Sequence, residues 1–192
     1  MLKNIFQKYT FLLSLLFLQG CAVVAVTGLA TGASIAVDKR TTGTVIEDQS
    51  IELKATQALY ADKELNKKTH FNFTSYNTYV LITGEAPNEE LRQRTVEMVR
   101  NVEKVTHVYN EITIAAPSSL ISRSSDSLIT SKVKTKLLTS KEVTGLEVKV
   151  VTEKGVVYLM GLSIRAQADK ATEIARQTGG VQKVVKLFQF VD

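Results

Sequence analysis

Residues 79–84 read Tyr-Val-Leu-Ile-Thr-Gly, and residues 156–161 read Val-Val-Tyr-Leu-Met-Gly. Both runs are apolar, both end in glycine, and they lie 77 positions apart. Residues 48–59 match residues 126–137 in the same way at a spacing of 78. Matched segments in the same order at a nearly constant spacing indicate a duplicated unit, and the small change in spacing indicates a deletion in a loop.

Each copy begins with the pattern of a helix. Ile51, Ala55 and Leu59 recur every four residues in the first copy, which predicts an amphipathic helix with one buried stripe. The equivalent residues of the second copy are Ile129, Val133 and Leu137. We therefore expect Leu59 and Leu137 to occupy equivalent core positions.

A hairpin follows the helix in each copy. In the second copy Leu146, Val148 and Val150 alternate with charged residues, which predicts a half-buried strand. Residues 153–155, Glu-Lys-Gly, then predict a turn into the apolar run. The first copy has an equivalent turn near residues 76–78.

A second helix and a last strand complete each copy. The first of these helices begins after Pro87, because Asn88 can cap it and the acidic residues that follow favour the positive end of its dipole. Its counterpart stops at Gly179-Gly180. The expected ranges are 165–177 for that second helix, and 108–114 and 184–191 for the two last strands.

The order αββαβ therefore occurs twice. It predicts an α+β fold of two tandem domains, each a three-stranded sheet packed on two helices. We assign the domains to residues 44–115 and 126–192. Pro117 and five serines mark residues 116–125 as a linker.

The amino terminus predicts export and a lipid anchor. Lys3 and Lys8 form a short positive region ahead of a nine-residue apolar run, a pattern typical of a signal peptide, and the run is too short to span a membrane. Leu18-Gln19-Gly20-Cys21 resembles the bacterial lipobox, which implies cleavage before Cys21 and acyl chains on that cysteine. We assign residues 1–20 to the signal peptide and residues 21–43 to the lipidated cysteine and its tether.

The small apolar residues 22–37 admit a second interpretation. They are compatible with the remainder of a transmembrane helix, with Gly28 and Gly32 at the spacing of helix dimers. The segment has only sixteen residues, including two glycines and three hydroxyl residues, which is short and weak for spanning. We therefore favour a tether.

Composition and motifs argue against several classes of function. Without the signal peptide the chain has 22 basic and 19 acidic residues, a balance too mild for a nucleic-acid binder. The two histidines, His70 and His107, have no second ligand at metal spacing. Hydrolase, metalloprotease and phosphate-loop motifs do not occur. We expect no nucleic-acid partner, no metal, no cofactor and no enzymatic activity.

The repeated pattern resembles the BON domain of bacterial envelope proteins. The resemblance rests on the strand that ends at Gly84 or Gly161, the helix after it, and the Val-x-x-Val that follows at residues 105–108 and 181–184. Two copies behind a lipobox resemble the dual-BON outer-membrane lipoproteins of Gram-negative bacteria. The resemblance implies a non-enzymatic, periplasm-facing protein that binds phospholipid and supports envelope integrity. Ala22, which is not aspartate, implies sorting to the outer membrane.

The first helices of the two copies differ in charge. Residues 47–60 sum to −2, whereas residues 122–138 sum to +3. Leucines outside the core stripe and flanked by lysines are typical of a helix that lies at a membrane surface. We predict that the second domain binds anionic, phosphatidylglycerol-like phospholipid in the inner leaflet of the outer membrane. The predicted lipid-binding residues are Leu128, Ser131, Lys132, Lys134, Thr135 and Leu138.

Two alternatives remain open. In the first, the basic face is merely solvated, and the linker or the other domain covers Leu128 and Leu138. In the second, the chain is a protein–protein interaction module or scaffold of the cell envelope without specific lipid binding. Exposed sheet edges, or Tyr76 and Tyr79 of the first copy, would then serve an envelope protein partner.

Overall fold

The computed structural model describes residues 39–191, which contain the first predicted domain and all of the second except its last residue. Cys21, the signal peptide and the tether up to residue 38 lie outside the described residues. The first domain comprises α1 (Thr42–Ala61), α2 (Lys63–Lys68), β1 (His70–Tyr76), β2 (Tyr79–Ala86), α3 (Glu89–Arg100) and β3 (His107–Ile114). The second comprises α4 (Leu120–Thr139), a 3-10 turn (Gly145–Glu147), β4 (Lys149–Glu153), β5 (Val156–Ser163), α5 (Arg165–Arg176) and β6 (Lys183–Phe190).

The two domains have the same sheet topology. In the first, β1 and β2 form an antiparallel hairpin, and β3 lies parallel to β2 on its other side. In the second, β4, β5 and β6 repeat this arrangement. A parallel neighbour needs a crossover connection, which α3 and α5 supply. The predicted α+β fold of two three-stranded domains is confirmed.

The helical stripes lie where the sequence predicts them. Ile51, Ala55 and Leu59 are buried in the core of the first domain. Leu137 is completely buried in the core of the second, together with Ile129 and Val133. The equivalence of the two first helices is therefore confirmed in register.

Each hairpin turn is held by an aspartate of the preceding first helix. The central residues of the turns have positive φ, 50° and 66° at Asn77 and Thr78, and 49° and 73° at Lys154 and Gly155. The carboxylate of Asp48 accepts hydrogen bonds from the amides of Asn77 and Thr78, each at 2.8 Å. Two successive residues with positive φ give a turn whose twist matches that of the two antiparallel strands it joins.

Asp126 does the same for the second turn. It accepts from the amides of Lys154 and Gly155, each at 2.9 Å. The aspartate thus fixes the turn to the helix in both copies.

The entry to β4 differs from the prediction. Leu146, expected on the buried face of a strand, is 63% exposed, whereas Glu147 is buried. A Cβ on Gly145 would lie 2.5 Å from the carbonyl oxygen of Leu137, so the chain passes close against the end of α4. It does so through a 3-10 turn, which interrupts the two-residue alternation until Val148.

The start of α4 also differs. Ser119 caps the helix by accepting a hydrogen bond from the amide of Ser122 at 3.3 Å, and the helix begins at Leu120. Residues 120–125, assigned to the linker from their serine content, are therefore helical.

The sheets of the two domains pack against each other through the faces that do not carry helices. Tyr76 and Leu81 of the first domain form one apolar cluster with Tyr158, Met160 and Leu187 of the second. β2 and β5 are thus buried on both faces, which accounts for their continuous apolar runs. Tyr76 is only 2% exposed, so the interpretation of this residue as a surface for a protein partner is wrong.

Candidate lipid-facing helix

Helix α4 carries an apolar stripe on the face opposite its core residues. Leu128 is 63% exposed and Leu138 is 54% exposed. At about 100° per residue, Leu128, Ser131, Thr135 and Leu138 fall within about 80° of the helix circumference. Within residues 39–191 both leucines keep more than half of their surface exposed, so the alternative in which the linker or the first domain buries them is wrong.

The polar groups within this stripe are satisfied by the helix itself. The hydroxyl of Ser131 donates to the carbonyl of Ser127 at 2.9 Å, and that of Thr135 donates to the carbonyl of Ser131 at 2.9 Å. A hydroxyl that is already bonded can enter an apolar environment at lower cost than one that loses its water. The whole stripe is therefore suited to the boundary between headgroups and acyl chains.

Two lysines flank the stripe. On the same projection, Lys132 lies about 40° beyond Leu128 on one side, and Lys134 lies about 40° beyond Leu138 on the other. Both side chains are exposed. Within residues 39–191, no carboxylate lies at ion-pair distance from either ammonium group. Lys136, by contrast, donates to the carbonyl of Gln177 at 3.0 Å.

The early start of α4 extends the stripe. Leu120 is 76% exposed and Ile121 is 80% exposed. Ile121 precedes Leu128 by seven residues and lies on the same face of the helix. The sequence prediction missed both residues because it placed them in the linker. A signal was nevertheless present: Ser119 is a good N-cap, and it directly precedes the two apolar residues.

The first helix of the first domain also exposes apolar side chains, namely Ile46, Leu53 and Tyr60. Exposed apolar residues therefore do not distinguish α4 from α1. Charge does: the single lysine of α1, Lys54, is paired with Glu103 at 3.0 Å. Glu47 and Glu52 add negative charge to α1. Of these two helices, only α4 presents cations beside its apolar stripe that have no carboxylate partner within residues 39–191.

The described part of the chain contains no group of three or more His, Cys, Asp or Glu side chains placed to hold a metal ion. None of its helices combines the length and apolar character needed to cross a bilayer. His70 is partly buried at the start of β1, and His107 is exposed at the start of β3.

Two αββαβ domains with packed sheets, preceded in sequence by a lipobox, define a class of tandem-domain envelope lipoproteins. The BON domain matches residues 47–116 and again residues 125–192, and the chain belongs to the BON-domain family. One of its relatives is named as an outer membrane lipoprotein, and the printed names of the three relatives given below are not those of enzymes.

The chain is 38% identical to the outer membrane lipoprotein DolP of Haemophilus influenzae over 92% of each protein. It is 39% identical to a 21 kDa hemolysin of Actinobacillus pleuropneumoniae, covering 81% of this chain and 80% of that one. It is 29% identical to the osmotically inducible protein Y of Escherichia coli, covering 82% and 80%. The chain is a dual-BON, DolP-like lipoprotein, lipid-anchored in the outer membrane, with a role in the cell envelope.

Proposed function

We propose that this lipoprotein binds anionic phospholipid through α4 of its second BON domain and thereby supports the integrity of the envelope. The observation that carries the proposal is the pair Lys132 and Lys134, exposed and without a carboxylate partner in the described residues, on either side of an apolar stripe. The leucines enter the acyl boundary while the ammonium groups stay with the phosphates. Phosphatidylglycerol in the leaflet that holds the acyl chains of Cys21 is the ligand that fits.

Charge reversal at the two lysines tests the electrostatic part. We expect Lys132→Glu/Lys134→Glu to weaken co-sedimentation with phosphatidylglycerol vesicles by at least about 30-fold, since each lysine near an anionic surface contributes about 1 kcal/mol. The protein is the unlipidated mature chain with Cys21→Ser. Wild-type binding should also weaken as salt is added.

The matched control places the same charge change elsewhere. Lys63 and Lys67 of α2 are exposed and have no ion pair within the described residues. Lys63→Glu/Lys67→Glu should bind vesicles nearly as well as wild type. If the α4 variant is folded by circular dichroism and binds as well as this control, the lipid surface is misplaced. A scaffold for envelope proteins is then the better function.

The apolar part is tested separately. Leu128→Asp should remove most of the remaining binding even at low salt, because it places a charge in the centre of the stripe. Leu53→Asp is its control on α1, where the replaced leucine is equally exposed. Equal losses in the two variants would contradict a role specific to α4.

A further inference from the structure

A groove of about 440 Å³ lies between the two domains, next to the C-terminal half of α4. One wall is the start of α1, including Val45 and Gln49; the other contains Lys134, Leu138 and Leu146. The volume falls within the range of small-ligand sites, about 300–1,000 Å³. Lys134 and Leu138 thus belong both to the outer face of α4 and to this groove.

The charges around the groove are paired except for one. Arg40 donates to the carboxylate of Asp48 at 2.8 Å, and its guanidinium also lies over the ring of Tyr76. Lys149 donates to the carboxylate of Glu52 at 2.7 Å. Lys134 has no such partner within residues 39–191. The groove therefore has a surplus of one positive charge, located at Lys134.

Both carboxylates already hold partners, and neither lies at ion-pair distance from Lys134. Asp48 accepts from the hydroxyl of Ser75 at 2.6 Å in addition to the two turn amides. Glu52 accepts from the amide of Ser75 at 2.8 Å as well as from Lys149. The negative groups are thus committed to holding α1 against the hairpin and the second domain, and the site favours an anion.

The groove also offers apolar surface at its mouth. Leu138 and Leu146 are exposed, Val148 is buried behind them, and Val45 is partly buried on the opposite wall. A ligand that combines a phosphate with aliphatic groups matches one free cation beside four apolar side chains. A purely hydrophilic anion would leave the leucines in water.

We infer that the groove seats a single anionic glycerophospholipid, with its phosphate at Lys134 and its glycerol and upper acyl carbons against Leu138 and Leu146. This inference rests on the proposed function and deepens it, because the first domain supplies one wall of the site. Lipid recognition is then a property of the two packed domains together. α4 contacts the membrane surface, and the groove holds one lipid drawn from it.

The test uses a short-chain lipid that does not form a bilayer. Monomeric dihexanoyl-phosphatidylglycerol should bind the unlipidated mature chain saturably, one molecule per chain, and shift the methyl NMR signals of Val45, Leu138 and Leu146. Gln49→Trp should weaken this binding by at least about tenfold, because the indole occupies the space between the walls. Leu146→Asp should do the same from the other side.

The control is Gln57→Trp, the same change two turns further along the exposed face of α1 and away from the groove. It should leave dihexanoyl-phosphatidylglycerol binding unchanged. If Gln49→Trp has no more effect than Gln57→Trp, the groove inference is overturned, whereas vesicle binding that still depends on Lys132 keeps the proposed function. If neither vesicles nor the short-chain lipid bind, both are overturned.

Discussion

At the scale of single residues, Asp48 and Asp126 are the clearest product of the duplication. Both side chains are buried, at the same position of the two first helices. Each holds a hairpin turn in a left-handed backbone conformation that residues other than glycine rarely adopt, because their Cβ atom makes it unfavourable. In the first domain neither turn residue is glycine, so the carboxylate of Asp48 has more strain to offset there.

Removing either aspartate should therefore destabilise the protein. We expect Asp126→Ala to reduce the free energy of unfolding by about 1–3 kcal/mol, because two turn amides lose their acceptor. Asp48→Ala should cost more, since Ser75 and Arg40 also lose a partner. Urea unfolding followed by circular dichroism measures both values.

The control is Asp169→Ala, which removes an exposed carboxylate that pairs with Lys186 at the surface. It should change stability by no more than about 0.5 kcal/mol. A loss as large as that of Asp126→Ala would mean that the buried hydrogen bonds to the turn are not the cause.

At the scale of elements, α4 has one face in the core of the second domain and one face at its surface. Its core stripe packs on the second sheet, and its outer stripe and free lysines face away from the domain. α1 has the same core register and a similar set of exposed apolar residues but not the free lysines. Duplication has thus preserved the packing face, while the outer face has diverged in charge.

Leu137 and Leu138 are adjacent in sequence but lie on different faces of α4: Leu137 is buried in the core, and Leu138 is exposed on the outer face. We expect Leu137→Ala to destabilise the protein by about 2–5 kcal/mol, because it opens a cavity in a closed core. Leu138→Ala should alter stability by less than about 0.5 kcal/mol and should weaken vesicle binding. The first value comes from chemical denaturation and the second from co-sedimentation.

The first domain provides a check on the stability loss expected for Leu137→Ala. Leu59→Ala should resemble Leu137→Ala in stability, since the two leucines are equivalent in the repeat. A large loss of stability on Leu138→Ala would show that this leucine packs against the protein, and would remove it from the proposed lipid-binding stripe.

At the scale of the whole molecule, the contact between the sheets makes one body of the two domains. Charged groups are buried beside it: Lys154 of the second domain pairs with Glu85 of the first at 2.8 Å. Glu153 accepts a hydrogen bond from the side-chain nitrogen Nδ2 of Asn72 at 3.3 Å, again across the contact. Burial, together with the charges of Glu85 and Asp126, raises the pKa of the Glu153 carboxyl.

This raised pKa predicts a pH-dependent effect. In the unfolded chain the Glu153 carboxyl has its ordinary pKa of 4.5, whereas in the folded protein its pKa is higher. As the pH rises from the unfolded pKa to the folded pKa, the unfolded chain loses this proton first, and the free energy of unfolding therefore falls. Glu153→Gln keeps an acceptor for Asn72 and removes the charge. It should be more stable than wild type at pH 7, and the gain should shrink towards pH 4.

Urea unfolding at the two pH values measures that difference. Glu142→Gln is a suitable control, because Glu142 is exposed and pairs only with Lys170 at the surface. If Glu153→Gln is less stable than wild type at pH 7, the interactions of the ionised carboxylate with Asn72 and Lys154 stabilise the fold by more than the burial of the charge destabilises it.

The anchor belongs to the same scale. Cys21→Ser should abolish incorporation of labelled palmitate and move the protein out of the outer-membrane fraction, because acyl chains on that cysteine provide firm attachment. Ala22→Asp tests sorting separately: the variant should still incorporate labelled palmitate but should no longer be found in the outer-membrane fraction. Palmitate labelling of Cys21→Ser in the outer membrane would show that the anchor lies elsewhere.

The amino-acid sequence by itself determined the order of elements, the buried helical stripes, the hairpin turns and the exposed leucines of α4. These depend on local signals, namely apolar residues that recur every four or every two positions, the helix-capping Asn88, and the turn at Lys154 and Gly155. The serine-rich start of α4 was misread because serine favours both loops and caps, and composition does not distinguish the two. Leu146 was misread because one close approach of Gly145 to the backbone of Leu137 is not visible in an alternating pattern.

Only the tertiary structure decided what lies against the second face of each sheet. An apolar run such as residues 79–84 indicates burial on both sides but does not name the partner, since hydrophobic burial is not directional. The groove beside Lys134 and the burial of Tyr76 both follow from that packing. They depend on which residues distant in sequence come within a few ångströms, and no local pattern encodes that distance.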